Sequence, residues 1–530
     1  MLGKVLVADE LERGALARLR QHAEVVYQPG LSPEELAARL SDCAALVVRS
    51  GTRVTRRLLE AAPCLRVVGR AGVGVDNVDV EAATERGVWV VNAPNSNAVA
   101  VAEHVFALLL SLARRVPWAW DSLRRGEWQR GAFRGVELAG KTLGIIGLGR
   151  TGTRVAERAK ALGMTVAAYD PFLAPAQATA LGVELLPLDA LLAVSDFVSL
   201  HVPGAPGTAG LIGRRELAAC KPGAYLVNCS RGTVVDEAAL LEALDCGRLA
   251  GAALDVFSQE PPLGSRLVAH PKVVATPHIA GMTEEAQQNV ALAVVDQVLD
   301  VLQGKQPLHP VNAPALSAEE LARIGPYLDL GRRLGRFYAQ IAGEPTISVQ
   351  VTSAGQLAEM DAGLVTAAVL EGLLAEVSDT PVNLINSRLV ARQRGISVSE
   401  TTAAETGPFS SLLTLCVGTP NEQHLLAGTV LYGQPHVVRV SEFWISFIPA
   451  GMLLYTEHIE QPGILGRMGT LLGEHGVNIS FVQVGRHARG GRGVMILGVD
   501  DVLGEAVLAA VMALPSVVRA RMVQLPPSEK

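Results

Sequence analysis

The sequence predicts an α/β protein with two doubly wound parallel sheets, followed by an α+β unit and a small βαββαβ unit. Three observations predict it. Short apolar runs alternate with amphipathic helical segments over residues 1–304. A glycine-rich turn joins one such run to a helix at residues 142–152, TLGIIGLGRTG. The final segment, after residue 451, reads strand, helix, strand, strand, helix, strand.

Composition bounds what such a chain can do. At 530 residues it is long enough for three or four domains. It is 49% hydrophobic and 18% charged, which supplies several cores. A net charge of −6 excludes a general affinity for nucleic acid, though local basic clusters can still hold a small anion. The six cysteines are scattered without C-x-x-C or metal-ligand spacing, so reduced thiols in a cytoplasmic protein are expected, and no metal. The start, MLGKVLVADELERG, runs straight into a strand and an acidic loop, unlike a signal peptide. No apolar run approaches a membrane span, so no membrane partner is expected.

Taken in order, residues 4–9, 25–28, 45–49, 65–70 and 88–92 are short apolar runs read as strands. Helical segments such as LERGALARLRQH and SPEELAARLSD lie between them. In an open α/β sheet, ligands bind beyond the carboxyl ends of the strands. Two loops fall there, RSGTR (Arg49 to Arg53) and GRAGVGVDNVD (Gly69 to Asp79), with Arg49 and Arg70 ending strands. Residues 98–116 read as a long apolar helix bridging to the next domain. Its further strands are 196–203, 224–232, 251–257 and 272–281. A helix over 283–304 is expected to return and pack on the first sheet, making that domain discontinuous. The Pro-punctuated stretch 304–317 reads as a linker. In 318–449, helices are expected near 319–342 and 361–377, and strands near 346–352, 411–417, 427–431 and 436–440.

The glycine turn carries the first chemistry. Gly147, Gly149 and Gly152 have the spacing G-x-G-x-x-G between a buried strand and a helix. The first allows the sharp turn, the second lets backbone approach a pyrophosphate, and the third lets helix and strand pack closely. The helix N-terminus offers free N–H groups and a positive dipole end. The next strand, TVAAYD, ends on Asp170, placed to accept hydrogen bonds from ribose hydroxyls. A carboxylate there repels a 2′-phosphate, so the expected cofactor is NAD rather than NADP.

Arg231, Glu260 and His278 follow three successive strands, in NCSRGTVVDE, DVFSQEPP and TPHIAG. Oxidising a secondary alcohol moves a hydride to a nicotinamide and a proton to a base. Neutral His278 suits the proton, and Glu260 suits fixing its tautomer. Arg231 suits a bidentate grip on a substrate carboxylate.

At these residues the chain resembles the D-isomer-specific 2-hydroxyacid dehydrogenases. The carried segments include VVGRAGVGVDNVD, NAPNSN, GKTLGIIGLGRTG, LHVP, VNCSRGTVVDE, GAALDVFSQEPP and PHIAGMTEEAQ. The resemblance implies a flavodoxin-like substrate domain (1–97 and 283–308) and a Rossmann NAD domain (98–282). An intervening domain (315–449) and an ACT regulatory domain (452–530) follow, resting on VNLINSRLVARQRGISV and EQPGILGRMGTLLGEHGVNISFVQVGR. It implies NAD-dependent oxidation of 3-phospho-D-glycerate, the first step of phosphorylated L-serine biosynthesis, in a homodimer or homotetramer. His278 would then be proton donor and acceptor, Glu260 its partner, and Arg231 the substrate arginine. Val73, Val202, Pro203, Cys229, Ser230, Asp255, Ala280 and Gly281 would lie near the nicotinamide, and Arg150 and Thr151 near the pyrophosphate. Arg49, Arg70, Gly72 and Gly74 would take the phosphorylated 2-hydroxy acid. His458, Glu460 and Asn478 would be the positions for an effector, with L-serine the expected one.

The departures are specific. After the histidine the family turn usually reads G-G-S-T or G-A-S-T, and here it is Ala280, Gly281, Met282, Thr283. Ala100, Val101 and Thr233 also differ from the usual residues, and none removes a catalytic group. Two other readings compete. One is a reductase of hydroxypyruvate, glyoxylate or 2-oxoglutarate, which the long C-terminal extension disfavours. The other is a non-catalytic NAD-sensing module of corepressor type, which retention of all three catalytic residues disfavours.

Overall fold

The computed structural model describes residues 2–94, 96–378 and 381–527. Asn95 of the NAPNSN segment and residues 528–530 of the expected last domain lie outside the described residues.

The first sheet has five parallel strands, in spatial order Glu24–Tyr27, Lys4–Val7, Ala45–Val48, Val67–Arg70, Trp89–Val91. In chain numbering that is 2-1-3-4-5, the order of the flavodoxin-like folds. Its central strands are apolar at nearly every position, because helices cover both faces. The helix Pro33–Leu40 starts on a capping box between Ser32 and Glu35. The helix Glu284–Leu302, capped by the Thr283 hydroxyl on the Ala286 N–H, returns to this sheet. It packs hard on Gly69, where a Cβ would lie 2.7 Å from both Val294 and Val298. Each of those buried valines contributes about 1.5–3 kcal/mol. Arg66 donates to the carbonyls of Val301 and Leu302, filling the helix C-terminus.

The helix expected over 98–116 ends at Ala113. Arg115 adopts a left-handed conformation (φ 54°), and Pro117 opens a second helix, Val116–Arg124. Beyond it stands a second sheet of seven parallel strands. Its order runs Val273–Ala275, Leu249–Leu254, Ala224–Asn228, Phe197–Leu200, Thr142–Ile146, Thr165–Tyr169, Glu184–Leu185. Chain order reverses between Thr142–Ile146 and Phe197–Leu200, which opens a crevice at the strand carboxyl ends.

The stretch 304–317 differs from a free linker. Val311 N–H donates to Val90 O, and Asn312 reaches Val90 N–H and Val88 O, so it docks on the edge strand Trp89–Val91. The helices Ala318–Ile341 and Ala362–Leu374 then pack on a six-stranded mixed sheet. Two strands of that sheet, Ser397–Ala403 and Phe443–Phe447, and the flanking helix Ser387–Gln393 were not expected from the sequence. The last unit is a four-stranded antiparallel sheet with the helices Ile464–Glu474 and Glu505–Met512, in βαββαβ order. One continuous buried cluster joins the first sheet, the returning helix, the helix Ala318–Ile341 and parts of the last two sheets.

Candidate active site

The three strands Ala224–Asn228, Leu249–Leu254 and Val273–Ala275 are parallel neighbours, with Asn228 level with Leu254 and Leu254 level with Ala275. Their carboxyl ends are therefore flush. Arg231, Glu260 and His278 leave that edge together and line one cleft of about 600 Å³.

His278 Nδ1 lies 2.8 Å from Glu260 Oε2, while Glu260 Oε1 accepts from Phe257 N–H at 3.1 Å. The carboxylate is thus aimed by backbone, and its other oxygen accepts a hydrogen bond from Nδ1–H. Nε2 is left as the free acceptor. His278 sits at φ 54°, a costly conformation for a non-glycine residue. Its N–H donates to Asp255 O at 2.8 Å, and Asp255 Oδ1 and Oδ2 accept from Ile279 N–H and Ala280 N–H at 2.8 and 2.9 Å. Thr276 and His104 complete the shell around Asp255. Burial opposes ionisation of Asp255, but hydrogen bonds from His104, Thr276 and the turn outweigh it and hold the carboxyl below its usual range. His104 and Thr276 were not singled out by sequence reasoning. An acid directly after a strand, with a glycine-ended turn beyond, was the available signal for this support.

Asn228, also missed, is buried and fixes the next loop. It accepts from Ser230 N–H and donates to Arg231 O at 2.9 Å. Arg231 Nε then stands 3.4 Å from Asp76 Oδ2. A Cβ on Gly74 would lie 2.2 Å from Arg231 Nη2, and one on Gly72 would overlap the Arg70 guanidinium. Both glycines are therefore spaces that the two arginines occupy. Burial lowers the Arg70 pKa, and the neighbouring positive charges of Arg231 and Arg49 lower it further. Its Nε is buried with no partner among the described residues. Like charges gathered this closely are what an anionic substrate would relieve.

The cofactor end fits a dinucleotide. Gly147 turns at φ 91°, and its N–H donates to Tyr169 O at 2.9 Å. A Cβ on Gly152 would lie 2.1 Å from Gly147 O, so helix and strand could not close. A Cβ on Gly149 meets nothing within 4 Å, which leaves an open cradle over the backbone. The helix Arg150–Ala161, carrying Arg150 and Thr151 in its first turn, begins there without a side-chain cap. Asp170 accepts from Leu148 N–H at 2.9 Å and Phe172 N–H at 3.0 Å, which fixes the carboxylate beside the cradle. Val202 packs against the Gly147 turn, and Pro203 follows it. Cys229 and Ser230 are buried, and burial followed by the Asp255 charge pushes the Cys229 thiol up. Val73 O accepts from Asn92 Nδ2, tying the substrate loop to the edge strand.

The three effector positions are not brought together within one chain. His458 is 2% exposed, lies against Gly493, and has both ring nitrogens without a partner among the described residues. Glu460 takes Arg486 and Gly490 N–H. Asn478 bonds Asp500 at 2.6 Å, next to Ile479, which is level with Val499 and hence with Met452. Six residues of strand separate Met452 from His458, about 20 Å.

Residues 106–280 match the family described as D-isomer specific 2-hydroxyacid dehydrogenase, NAD binding domain. Residues 323–441 match the D-3-phosphoglycerate dehydrogenase intervening domain, and 453–515 the ACT domain. A D-3-phosphoglycerate dehydrogenase of Methanocaldococcus jannaschii is 41% identical over 98% of this chain and 100% of its own length. That of Bacillus subtilis is 39% identical over 99% of this chain and 100% of its own. Among solved structures, the TT0316 protein of Thermus thermophilus is 40% identical with a TM-score of 0.55, covering 58% of this chain and 99% of its own. Apo D-lactate dehydrogenase of Escherichia coli is 28% identical with a TM-score of 0.53, covering 58% of this chain and 99% of its own. The chain belongs to the D-isomer specific 2-hydroxyacid dehydrogenases, in the branch whose members carry the name D-3-phosphoglycerate dehydrogenase. It is an NAD-dependent oxidoreductase.

Proposed function

We propose that the His278–Glu260 pair and Arg231 carry out the oxidation of 3-phospho-D-glycerate to 3-phosphohydroxypyruvate. The observation that carries this is the 2.8 Å Nδ1–Oε2 contact, opening with Arg231 on one cleft at the strand ends. Gly147, Gly149, Gly152 and Asp170 are the residues that would hold NAD, which when bound would supply the hydride acceptor. His278 Nε2 takes the C2 hydroxyl proton, and Glu260 stabilises the imidazolium that forms. Arg231 holds the carboxylate and keeps C2 beside the imidazole. Arg49 and Arg70, with the loop at Gly72 and Gly74, add positive charge at the substrate side. Glu260→Gln lowers turnover and shifts the pH profile while NAD affinity is kept. A variant with unchanged kinetics would contradict the assignment.

The finer organisation belongs to the same proposal. Residues 1–97 with 283–308 form the substrate domain, 98–282 the NAD domain, 315–449 the intervening domain and 452–530 the regulatory domain. The exposed side chains of Leu110, Val116, Trp120, Leu123 and Trp128, on and after the bridging helix, support a homodimer through this surface. The C-terminal units would complete a tetramer. L-serine is the effector we assign to the last domain. Because Asn478 lies at the other end of the sheet from His458 and Glu460, an effector site using all three needs two copies. Residence in the cytoplasm accords with six free thiols and with no described helix long and apolar enough to cross a membrane.

A further inference from the structure

The stretch 304–317 leads from the returning helix to the C-terminal half, and on its way it lays one histidine at the cofactor crevice. Pro310 pairs antiparallel with Val91, and Val311 N–H donates to Val90 O at 2.7 Å. His309 is therefore level with Asn92, just beyond the carboxyl end of the edge strand Trp89–Val91. Gln297, 3% exposed on the returning helix, fixes it there. Its Oε1 accepts from His309 N–H at 2.7 Å, and its Nε2 donates to Asn92 O at 2.8 Å. Asn92 in turn donates to Val73 O, in the loop expected beside the nicotinamide. The backbone at residue 309 is thus tied to the substrate-domain wall of the crevice. The half-buried imidazole takes no side-chain partner among the described residues.

The cofactor-domain wall presents Arg150. This residue opens the helix Arg150–Ala161 directly after the Gly149 cradle. Its guanidinium is exposed and has no hydrogen bond or ion pair among the described residues. Arg150 is the charged group that faces His309. Burial lowers the imidazole pKa, the Arg150 charge lowers it further, and the Leu308 backbone pulls the other way. Among the described residues no carboxylate of the returning helix or the edge strand offsets Arg150 at the ring. Two cations held this near one another repel, and an anion placed between them reverses the sign. A pyrophosphate diester carries a negative charge on each phosphate, and the helix N-terminus at Gly149 is where backbone N–H groups would receive it. An uncommitted guanidinium on one wall and an imidazole on the other match those two charges.

We propose that His309 is a cofactor-binding residue that reaches the pyrophosphate from the substrate-domain side, across from Arg150, and takes up a proton when the dinucleotide binds. This rests on the cofactor placement proposed above, over the Gly149 cradle. The test is calorimetric binding of ADP-ribose, which carries the pyrophosphate but lacks the nicotinamide that would meet His278. Full-length wild type, His309→Gln, His309→Lys and Arg150→Gln are compared at pH 6 and pH 8, each in two buffers of different ionisation heat. Wild type binds roughly three- to ten-fold more tightly at pH 6 than at pH 8, with proton uptake at pH 6. His309→Gln loses both the pH dependence and the uptake, while its affinity at pH 8 and its kcat at saturating NAD and acid stay near wild type. His309→Lys, charged throughout, binds tightly at both pH values. Wild-type affinity that is level between pH 6 and pH 8 would overturn the proposal. So would a pH dependence that survives in His309→Gln, or an equal weakening of that variant at both pH values, which would mean disturbed docking of the stretch. Arg150→Gln weakens ADP-ribose at both pH values. Binding that this variant leaves intact overturns the cofactor placement itself, which separates that failure from the failure of His309 alone.

Discussion

At the scale of single residues, the site works by committing almost every polar atom before substrate arrives. The Asp255 carboxylate is taken up by the turn that holds His278 in a left-handed conformation, and the Asn228 amide by the loop that carries Arg231. The proton acceptor is what remains free. Replacing His278 by Asn should lower kcat by roughly 10²–10⁴-fold with KM for NAD little changed, measured by steady-state kinetics. Gly74→Ala should act through Arg231, because the new Cβ meets its guanidinium at 2.2 Å. KM for the acid rises in that variant, and NAD binding measured by fluorescence does not move. Asp170→Ala loses the partner of Leu148 N–H and, with it, the acceptor proposed for the ribose. KM for NAD should rise roughly ten-fold, and discrimination against NADP should fall.

At the scale of elements, pH exposes a different group. His201 follows the strand Phe197–Leu200, has its ring 2.8 Å from the Ser199 hydroxyl, and is pushed down to about 4 by burial. The folded protein binds that proton less readily than the unfolded chain does. Stability from this group is therefore intact above about pH 6.5 and is lost as pH falls from there toward 4, by about 3 kcal/mol in all. Urea unfolding at pH 7 and pH 5 should show a smaller loss for His201→Gln than for wild type. The strands and helices of the first and second sheets were legible because their periods are strong and their turns carry glycine. The grouping of Arg231, Glu260 and His278 in one cleft was legible because each follows a strand within a few residues. What stayed hidden depended on contacts distant in sequence or on single backbone conformations. The break at Arg115 comes from one left-handed residue before Pro117. The strand Ser397–Ala403 is mostly exposed and polar at the edge of its sheet, so it has no apolar period to read. The direction of the Arg49 side chain depends on Gln287, far along the chain.

At the scale of the whole molecule, the C-terminal half is joined to the catalytic half by specific polar contacts as well as by apolar packing. Asn383 Nδ2 donates to Gly87 O across the junction, and a Cβ on Gly87 would meet that amide at 3.0 Å. Arg333 is buried on the helix Ala318–Ile341 and donates to the carbonyls of Pro449, Pro526 and Pro527 at 2.9, 2.7 and 3.1 Å. Arg333→Met strands three acceptors and should cost about 3 kcal/mol or more. Calorimetry should show the transition of the C-terminal units falling while cofactor binding persists. The most direct test of the account is kcat/KM for NAD reduction by the wild-type protein with 3-phospho-D-glycerate, D-glycerate and D-2-hydroxyglutarate. The arginine-rich cleft predicts a preference for the phosphorylated acid of at least roughly a hundred-fold, the worth of two charge-assisted contacts. Equal or better turnover of an unphosphorylated acid would contradict it.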